Sequence, residues 1–322
     1  MTEKVSMVNV LAFIGSFAVA FLVTFIIIPW LIPQLKARGI VGKDLNKPSQ
    51  PEIAEMGGIA VVIGFFAGVS ILLAMDDVTN KEVFNVSLSV LMGSAFIGMI
   101  DDLFELRQRQ KALFPFLLAL PFGASLNPVV SLPFIGEVHF GIAMIIAAPF
   151  AITCAANAGN MLEGFNGLGT GLGIIMSSTL ILLAFEHDRL DGLYLLIPLL
   201  GTLLAFLWFN KYPSRIFPGD TLMLFIGTTL AVSGMLSGLH FQTGFIFMPM
   251  IIEFFLKWRG RFKAENYASG LKGGYLEYHG RIESITHLFM KHARVTERSL
   301  TIAIWAIEAV FCALVVVGDS VI

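Results

Sequence analysis

Long apolar runs, recurring almost without pause from one end to the other, constrain this chain more than any other feature. A run of roughly 17 to 25 apolar residues is long enough to cross the hydrocarbon core of a bilayer as a helix. About ten such runs occur, near 7–33, 56–75, 84–100, 112–124, 140–156, 167–185, 191–209, 221–236, 243–257 and 298–317. Hydrophobic residues make up 56% of the chain and charged residues only 14%, against about 25% charged in soluble domains. The reading is an all-α, polytopic integral membrane protein with about ten transmembrane helices, a single domain over 1–322. The stretch 7–33 has no basic segment before it and no small-residue cleavage site after a short apolar core, so it reads as the first span rather than a signal peptide. Cys154 and Cys312 both lie in apolar runs, which argues against a disulfide framework or a cysteine metal site.

Threading the runs alternately through a bilayer sorts the charges. Of 21 Lys and Arg residues, Lys4, Lys81 and Arg189 fall on one side and all the others on the opposite side. Positive residues accumulate in cytoplasmic loops, so the basic side is expected to face the cytoplasm, with both termini outside. The outer connectors are short and acidic (Asp76-Asp77, Glu186, Asp188, Asp191), and 125–140 reads as a small hairpin around Gly136. The longest polar segment, 257–297, is on the basic side and is expected to fold over the mouth of the helices.

Every polar cluster emerges on that same basic side. Asp101 and Asp102 close the third run, with Glu105, Arg107, Arg109 and Lys111 just beyond. An isolated carboxylate in hydrocarbon costs several kcal/mol, so this pair belongs at an interface or in a polar cavity. Asn157, Asn160 and Asn166 alternate with Gly159, Gly164 and Gly167, a pattern suited to backbone that approaches a ligand closely and offers uncharged donors. Phe217-Pro218-Gly219-Asp220 opens the eighth run; helix capping alone would explain an Asp there. Magnesium needs only one or two protein ligands beside phosphates and water, a requirement that Asp220 and Asn160 would meet. Arg259-Gly260-Arg261, with Lys257 and Lys263, could signal topology, contact anionic lipid or clamp a pyrophosphate. Glu253 and Glu308 lack a neighbouring motif and read as structural. His279, His287 and His292 have no metal-ligand spacing, and neither a phosphate-binding loop nor a nucleic-acid surface is visible.

Taken together these residues resemble the polyprenyl-phosphate N-acetylhexosamine-1-phosphate transferase family, in its eukaryotic and archaeal branch of UDP-GlcNAc:dolichyl-phosphate GlcNAc-1-phosphotransferases. The carriers are Gly42 through Lys47 with Glu55, Asp101-Asp102 through Lys111, Asn157 through Gly167, Phe217 through Asp220, Arg259-Gly260-Arg261, and Glu297-Arg298. Two positions depart from the family pattern: Glu105, where Asn or Asp is common, and Gly260, where the eukaryotic branch often has His.

The resemblance implies transfer of GlcNAc-1-phosphate from UDP-GlcNAc to dolichyl or another polyprenyl phosphate, releasing UMP, the first step of lipid-linked oligosaccharide assembly for N-glycosylation. It implies Mg2+, or Mn2+ in its place, on Asn160 and Asp220. Asp101, Asp102 and Lys111 would be catalytic. Lys111 and the stretch Thr153, Cys154, Ala155, Ala156, Asn157, Ala158, Gly159, Asn160 and Met161 would meet the lipid phosphate. Lys43, Asp44, Leu45, Glu55, Asn166, Phe217, Arg259, Gly260 and Arg261 would meet the nucleotide sugar. The implied partners are these two substrates and the bilayer, with no nucleic acid and with a homodimer left open. The membrane would be the plasma membrane in a prokaryote or the endoplasmic reticulum in a eukaryote, with the site on the cytoplasmic face. Transferases for undecaprenyl phosphate or for a phospho-MurNAc-pentapeptide are the neighbouring alternatives. A secondary transporter is the alternative from another class, although its ionisable site would sit near the bilayer midplane.

Overall fold

A computed structural model describes residues 7–75, 78, 80–133 and 135–319. Lys4 and Asp76-Asp77, used above for orientation, lie outside the described residues. Twelve helices dominate: α1 Met7–Ala37, α2 Gly58–Met75, α3 Lys81–Phe104, α4 Gln108–Ser125, α5 Met144–Leu162, α6 Leu168–Glu186, α7 Leu193–Asn210, α8 Gly219–Leu236, α9 His240–Ile246, α10 Met248–Arg259, α11 Ile285–His292 and α12 Glu297–Asp319. Among the described residues, strands occur only as three small antiparallel hairpins in connectors: β1 Val41–Lys43 with β2 Glu52–Ala54, β3 Val129–Leu132 with β4 Gly136–His139, and β5 Gly270–Lys272 with β6 Tyr275–Glu277. The expected hairpin around Gly136 is therefore present, paired Val129 to His139 and Leu132 to Gly136.

Eight helices, α1, α2, α3, α5, α6, α7, α8 and α12, are long and apolar enough to cross a membrane. The other two expected crossings take a different form. The less apolar α4 carries Arg109 and Lys111 in its first turns, and the run near 243–257 is broken at Phe247 into α9 and α10, with Pro249 in the first turn of α10. Proline lacks an amide hydrogen and fits a helix start, so the break falls where a new helix can begin.

The helix packing places α8 on the axis. It touches α2, α3, α5, α6, α7 and α9, and all but a small part of its surface is buried. Around it the others close a ring through successive contacts: α1 with α2 and α7, α7 with α6, α6 with α12, α12 with α9 and α10, α10 with α5, α5 with α4, α4 with α3, and α3 with α2. Small residues permit the closest approaches. A Cβ on Gly98 of α3 would lie 2.5 Å from the Thr221 backbone, and one on Gly227 of α8 would lie 2.0 Å from the Ala155 carbonyl of α5. Ser94 Oγ pairs with Thr228 Oγ1 at 2.7 Å across α3 and α8, a polar tie of the kind that helps join helices where apolar association has little water to exclude.

Because consecutive crossings alternate in direction, the ends of α1, α3, α5, α7 and α10 and the starts of α2, α4, α6, α8 and α12 gather at one end of the ring. All the polar motifs sit there. Trp30, Trp208 and Trp258, each more than half exposed, stand near that same end. Exposed tryptophans are enriched at membrane–water boundaries, which puts the motif-bearing end at the level of a membrane surface.

Candidate active site

A cavity of about 390 Å³ opens at the start of the axial helix, within the range of small-molecule sites. Lys43, Asp44, Leu45, Glu55, Asp101, Asp102, Glu105, Asn160, Glu163, Asn166, Phe217, Asp220 and Tyr267 all line it. Four motifs widely separated along the chain thus converge on one volume, whose lining carries seven carboxylates and a single lysine.

Asp102 is held by the start of α8. Its Oδ1 accepts from the Asp220 amide at 2.6 Å, and its Oδ2 accepts from the Thr221 amide at 3.0 Å and the Thr221 hydroxyl at 2.5 Å. Free amides at a helix start are natural donors to a carboxylate, so Asp102 caps a helix from a different part of the chain. Two glycines make this contact available. Gly219 has a φ of +69°, and a Cβ there would lie 2.6 Å from the Asp102 carboxylate, while Gly98 lets α3 reach α8 one turn earlier.

Asp101, only 3% exposed, accepts the Leu106 amide on Oδ1 at 2.8 Å. Its Oδ2 is 2.5 Å from Lys111 Nζ, which also lies 2.9 Å from Asp220 Oδ2. Lys111 is therefore a cation shared by two carboxylates from α3 and α8. Asn160 lines the same cavity as Asp220. Next to these groups, burial first and then the charges of Asp102 and Asp220 push the Glu55 carboxyl above its ordinary value. Glu163, at the end of α5, is pushed up to about 7, mainly by burial, although the Gly169 amide 2.9 Å away favours its charged form. Burial also drives the Tyr267 phenol to about 12, so it is a neutral donor at the cavity wall.

The nucleotide-sugar loop predicted from Gly42 to Glu55 is fixed by backbone pairing. β1 and β2 pair Gly42 with Ile53. Phe217 N donates to Ala54 O at 2.7 Å, and Gly57 and Gly58 donate to Phe217 O and Pro218 O, each at 2.9 Å. A Cβ on Gly42 would lie 3.1 Å from the Phe217 ring and 3.2 Å from Glu55 Oε2, so glycine keeps the space between them open.

Asn166 is 5% exposed and its polar atoms are engaged by protein. Its amide donates to Glu297 Oε1 at 2.9 Å and Nδ2 donates to Asp44 Oδ2 at 3.2 Å, while Oδ1 accepts from Lys47 Nζ at 2.9 Å and Ser214 N at 2.7 Å. Lys47 also pairs with Asp44 and lies 3.6 Å from Glu297. Asn166 thus holds Asp44 in place from behind. Lys47, Glu163 and Glu297 lie within sequence motifs that give them no role of their own, and Tyr267 lies outside every motif.

The segment after α10 is tied down over this end. Asn266 Nδ2 donates to Met161 O at 2.8 Å and Glu163 O at 2.6 Å, Lys257 Nζ donates to Met161 O, and Asn46 Nδ2 donates to Gly164 O at 2.9 Å. Glu253, read from the sequence as structural, accepts the Ile285 amide at 2.8 Å and so anchors α11. Arg259, Gly260 and Arg261 do not line the cavity. Arg259 donates to Ile282 O, and the Glu283 carboxylate fills the space beside Gly260, 2.4 Å from where a Cβ would stand.

The stretch from Thr153 to Met161 divides by helix face. Cys154, Ala155 and Ala158 line a second, apolar cavity of about 350 Å³; Ala156 is fully buried with Ile97 and Leu224; Thr153 Oγ1 bonds within its own helix, to Pro149 O; and Asn160 faces the acidic cavity. Asn157 ties α5 to α4, its Nδ2 donating to Thr153 O at 2.9 Å and Lys111 O at 3.3 Å. The apolar cavity is a groove running from Ala158 along α5 to Met144, walled by α8, α9 and α10.

An axial helix ringed by others, with an acidic cavity at its start and an apolar groove beside it, defines an integral membrane protein that sets a polar and an apolar cavity side by side. Residues 84–238 match the family described as glycosyl transferase family 4. A protein of Saccharolobus solfataricus, provisionally named a UDP-N-acetylglucosamine–dolichyl-phosphate N-acetylglucosaminephosphotransferase, is 38% identical over 96% of this chain and 97% of its own length. Its counterpart in Sulfolobus acidocaldarius, with the same provisional name, is 35% identical over 98% of both chains. A phospho-N-acetylmuramoyl-pentapeptide-transferase of Borreliella burgdorferi is 30% identical over 67% of this chain and 72% of its own. The chain belongs to this membrane glycosyl transferase family.

Proposed function

We propose that this protein transfers GlcNAc-1-phosphate from UDP-GlcNAc to dolichyl or a related polyprenyl phosphate, releasing UMP. The observation that carries this reading is the meeting of the apolar groove and the acidic cavity on one helix: Ala158 lines the first and Asn160 the second. A polyprenyl chain in the groove would remain among apolar side chains and bring its phosphate to Asn157, Asn160 and Lys111. The near full-length similarity to the two archaeal relatives supports a GlcNAc donor over a muramyl-peptide donor. The clustering of Lys and Arg at the site-bearing end supports a cytoplasmic active site.

Lys43, Asp44, Leu45, Glu55 and Phe217 form the wall for the nucleotide sugar, with the Phe217 ring available for stacking on uracil. Asn160 and Asp220 would hold the divalent cation. Their oxygen donors suit Mg2+, which keeps its other positions for phosphate and water, and the Asp220 side chain remains 22% exposed. When bound, the ion would neutralise phosphate charge, the main obstacle when two anions must meet.

Direct displacement fits the carboxylates better than an aspartyl-phosphate. Both oxygens of Asp102 accept from α8, and those of Asp101 are taken by Leu106 and Lys111, so neither is free to attack. A phosphate monoester with a second pKa near 6 is largely a dianion at neutral pH and needs little help from a base. Asp101 then orients Lys111, and Asp102 fixes the start of α8 on which Asp220 stands.

Purified protein given labelled UDP-GlcNAc, dolichyl phosphate and Mg2+ is expected to yield GlcNAc-pyrophosphoryl-dolichol and UMP. UMP release or a labelled protein without any lipid acceptor would overturn direct displacement. Turnover of UDP-MurNAc-pentapeptide in preference to UDP-GlcNAc would overturn the donor assignment.

A further inference from the structure

At the end of the ring opposite the acidic cavity lies another cavity, of about 520 Å³, that the reaction above does not use. It sits where α6 and α12 finish and α9 begins. Gln242 Nε2 of α9 donates to Asp319 Oδ1 at 2.6 Å, and His187, just past α6, pairs with the other Asp319 oxygen. The one carboxylate that lines the cavity among the described residues is therefore satisfied by its neighbours.

Two donors remain. Arg189 lines the cavity, and its guanidinium has no ion-pair partner among the described residues. Ser237 also lines it, is 1% exposed, and its hydroxyl has no hydrogen-bond partner among the described residues. A buried hydroxyl left unpaired carries a desolvation cost that a ligand's acceptor would relieve. Glu186 and Asp188, on the same connector as Arg189, do not line the cavity. Beside these donors the wall is hydrocarbon, from Phe241 and Phe245 of α9 and Leu314 and Val315 of α12.

Unmatched donors next to an apolar wall, at the membrane level opposite the active site, fit an anionic amphiphile. We propose that this cavity binds an acidic glycerophospholipid, with its phosphate on Arg189 and Ser237 and an acyl chain along α9 and α12. A guanidinium fork matches two phosphate oxygens at once. The opposite face of α9 lines the apolar groove, so α9 is a wall shared by both lipid-facing cavities.

The test is native mass spectrometry of protein stripped of lipid and then offered phosphatidylglycerol, phosphatidylcholine or inorganic phosphate separately. The unmodified protein is expected to retain one phosphatidylglycerol. Arg189→Ala is expected to cut retention roughly tenfold, as befits loss of a paired guanidinium contact, and Ser237→Ala to cut it by a smaller factor. Arg189 is exposed, so its replacement leaves the fold intact, which an unchanged thermal unfolding curve checks; UMP release is expected to stay at the unmodified level. Equal retention of phosphatidylcholine, or phosphatidylglycerol retention unchanged in both variants, would overturn the proposal. Saturation by inorganic phosphate that phosphatidylglycerol fails to displace would mean a free-anion site and overturn the lipid assignment.

Discussion

At the residue scale, the site separates groups that would touch substrate from groups that hold those in place. Asp102 is in the second class, since its two oxygens serve three donors at the start of α8. Asp102→Asn keeps the size but replaces one acceptor oxygen by a donor that faces another donor. Misplacement of Asp220 by a fraction of an ångström is expected to lower kcat by about 10²-fold while leaving the KM for UDP-GlcNAc near its normal value; steady-state kinetics check this split. Lys111→Ala is expected instead to raise the KM for the lipid phosphate, because it removes the cation between Asp101 and Asp220. Glu163 gives the pH dependence. Burial holds its carboxyl at about 7 in the folded protein, above the ordinary 4.5, so the folded chain retains a proton that the unfolded chain loses. That proton favours folding at low pH, and the advantage declines as pH rises from about 4.5 to about 7. Above that range Glu163 adds a negative charge to an already acidic cavity, so the KM for UDP-GlcNAc is expected to rise on the alkaline side of neutrality. Glu163→Gln should flatten that rise, and a pH series of KM values compares the two.

At the element scale, the segment after α10 is held by a neutral histidine. The His287 ring stacks on Tyr278 at 3.7 Å, its Nδ1 accepts from the Glu283 amide at 3.3 Å, and its Nε2 donates to Glu265 O at 2.8 Å. Burial first, with a contribution from the Lys257 charge, holds its pKa below the ordinary value. A lowered histidine binds fewer protons folded than unfolded, so its support is present above about pH 6.5 and is lost as pH falls. The protection of backbone amides over 265–287, taken relative to their intrinsic exchange rate at each pH, is expected to fall in mild acid, and His287→Gln should remove most of that pH dependence. The crossings themselves were legible, because an unbroken apolar run of bilayer length has few other solutions. The break at Phe247 was not, since hydrophobic composition continues through it and only Pro249 hints at a new start. Nor does sequence tell which face of a helix a ligand meets: Thr153 through Met161 read as one contact surface, whereas the fold divides them among a groove, a helix interface and the acidic cavity. The motifs at Asp101, Asn160 and Asp220 were legible because carboxylates and amides at the ends of apolar runs need a polar reason to be there. The anchoring roles of Lys47, Asn266 and Glu297 depend on contacts between distant loops and could be seen only in three dimensions.

At the scale of the whole molecule, the ring around α8 solves a problem of two solvents. In the reaction proposed above the donor is a charged nucleotide sugar that would arrive through water, and the acceptor is a phosphate on a hydrocarbon chain. The acidic cavity and the apolar groove meet on α5, so each molecule can stay in its own medium until the phosphates meet. The groove runs from Ala158 to Met144, about 21 Å at the rise of an α-helix, which is most of the roughly 30 Å hydrocarbon thickness of a bilayer. A tail lying there would be read along much of its length, while the chemistry stays at one end. Ala151 lines the groove midway, is exposed and faces no catalytic group, so a bulky side chain there can block the tail without disturbing the core. Ala151→Trp is expected to raise the KM for a long polyprenyl phosphate by roughly tenfold, the cost of losing part of a well-buried apolar contact. A short-chain acceptor such as geranyl phosphate, which would not reach Ala151, should be affected far less, and the KM for UDP-GlcNAc should not move. Kinetics with acceptors of graded length measure all three. An equal loss with every acceptor would show that the substitution had distorted the phosphate site, whereas no loss with any would place the tail outside the groove.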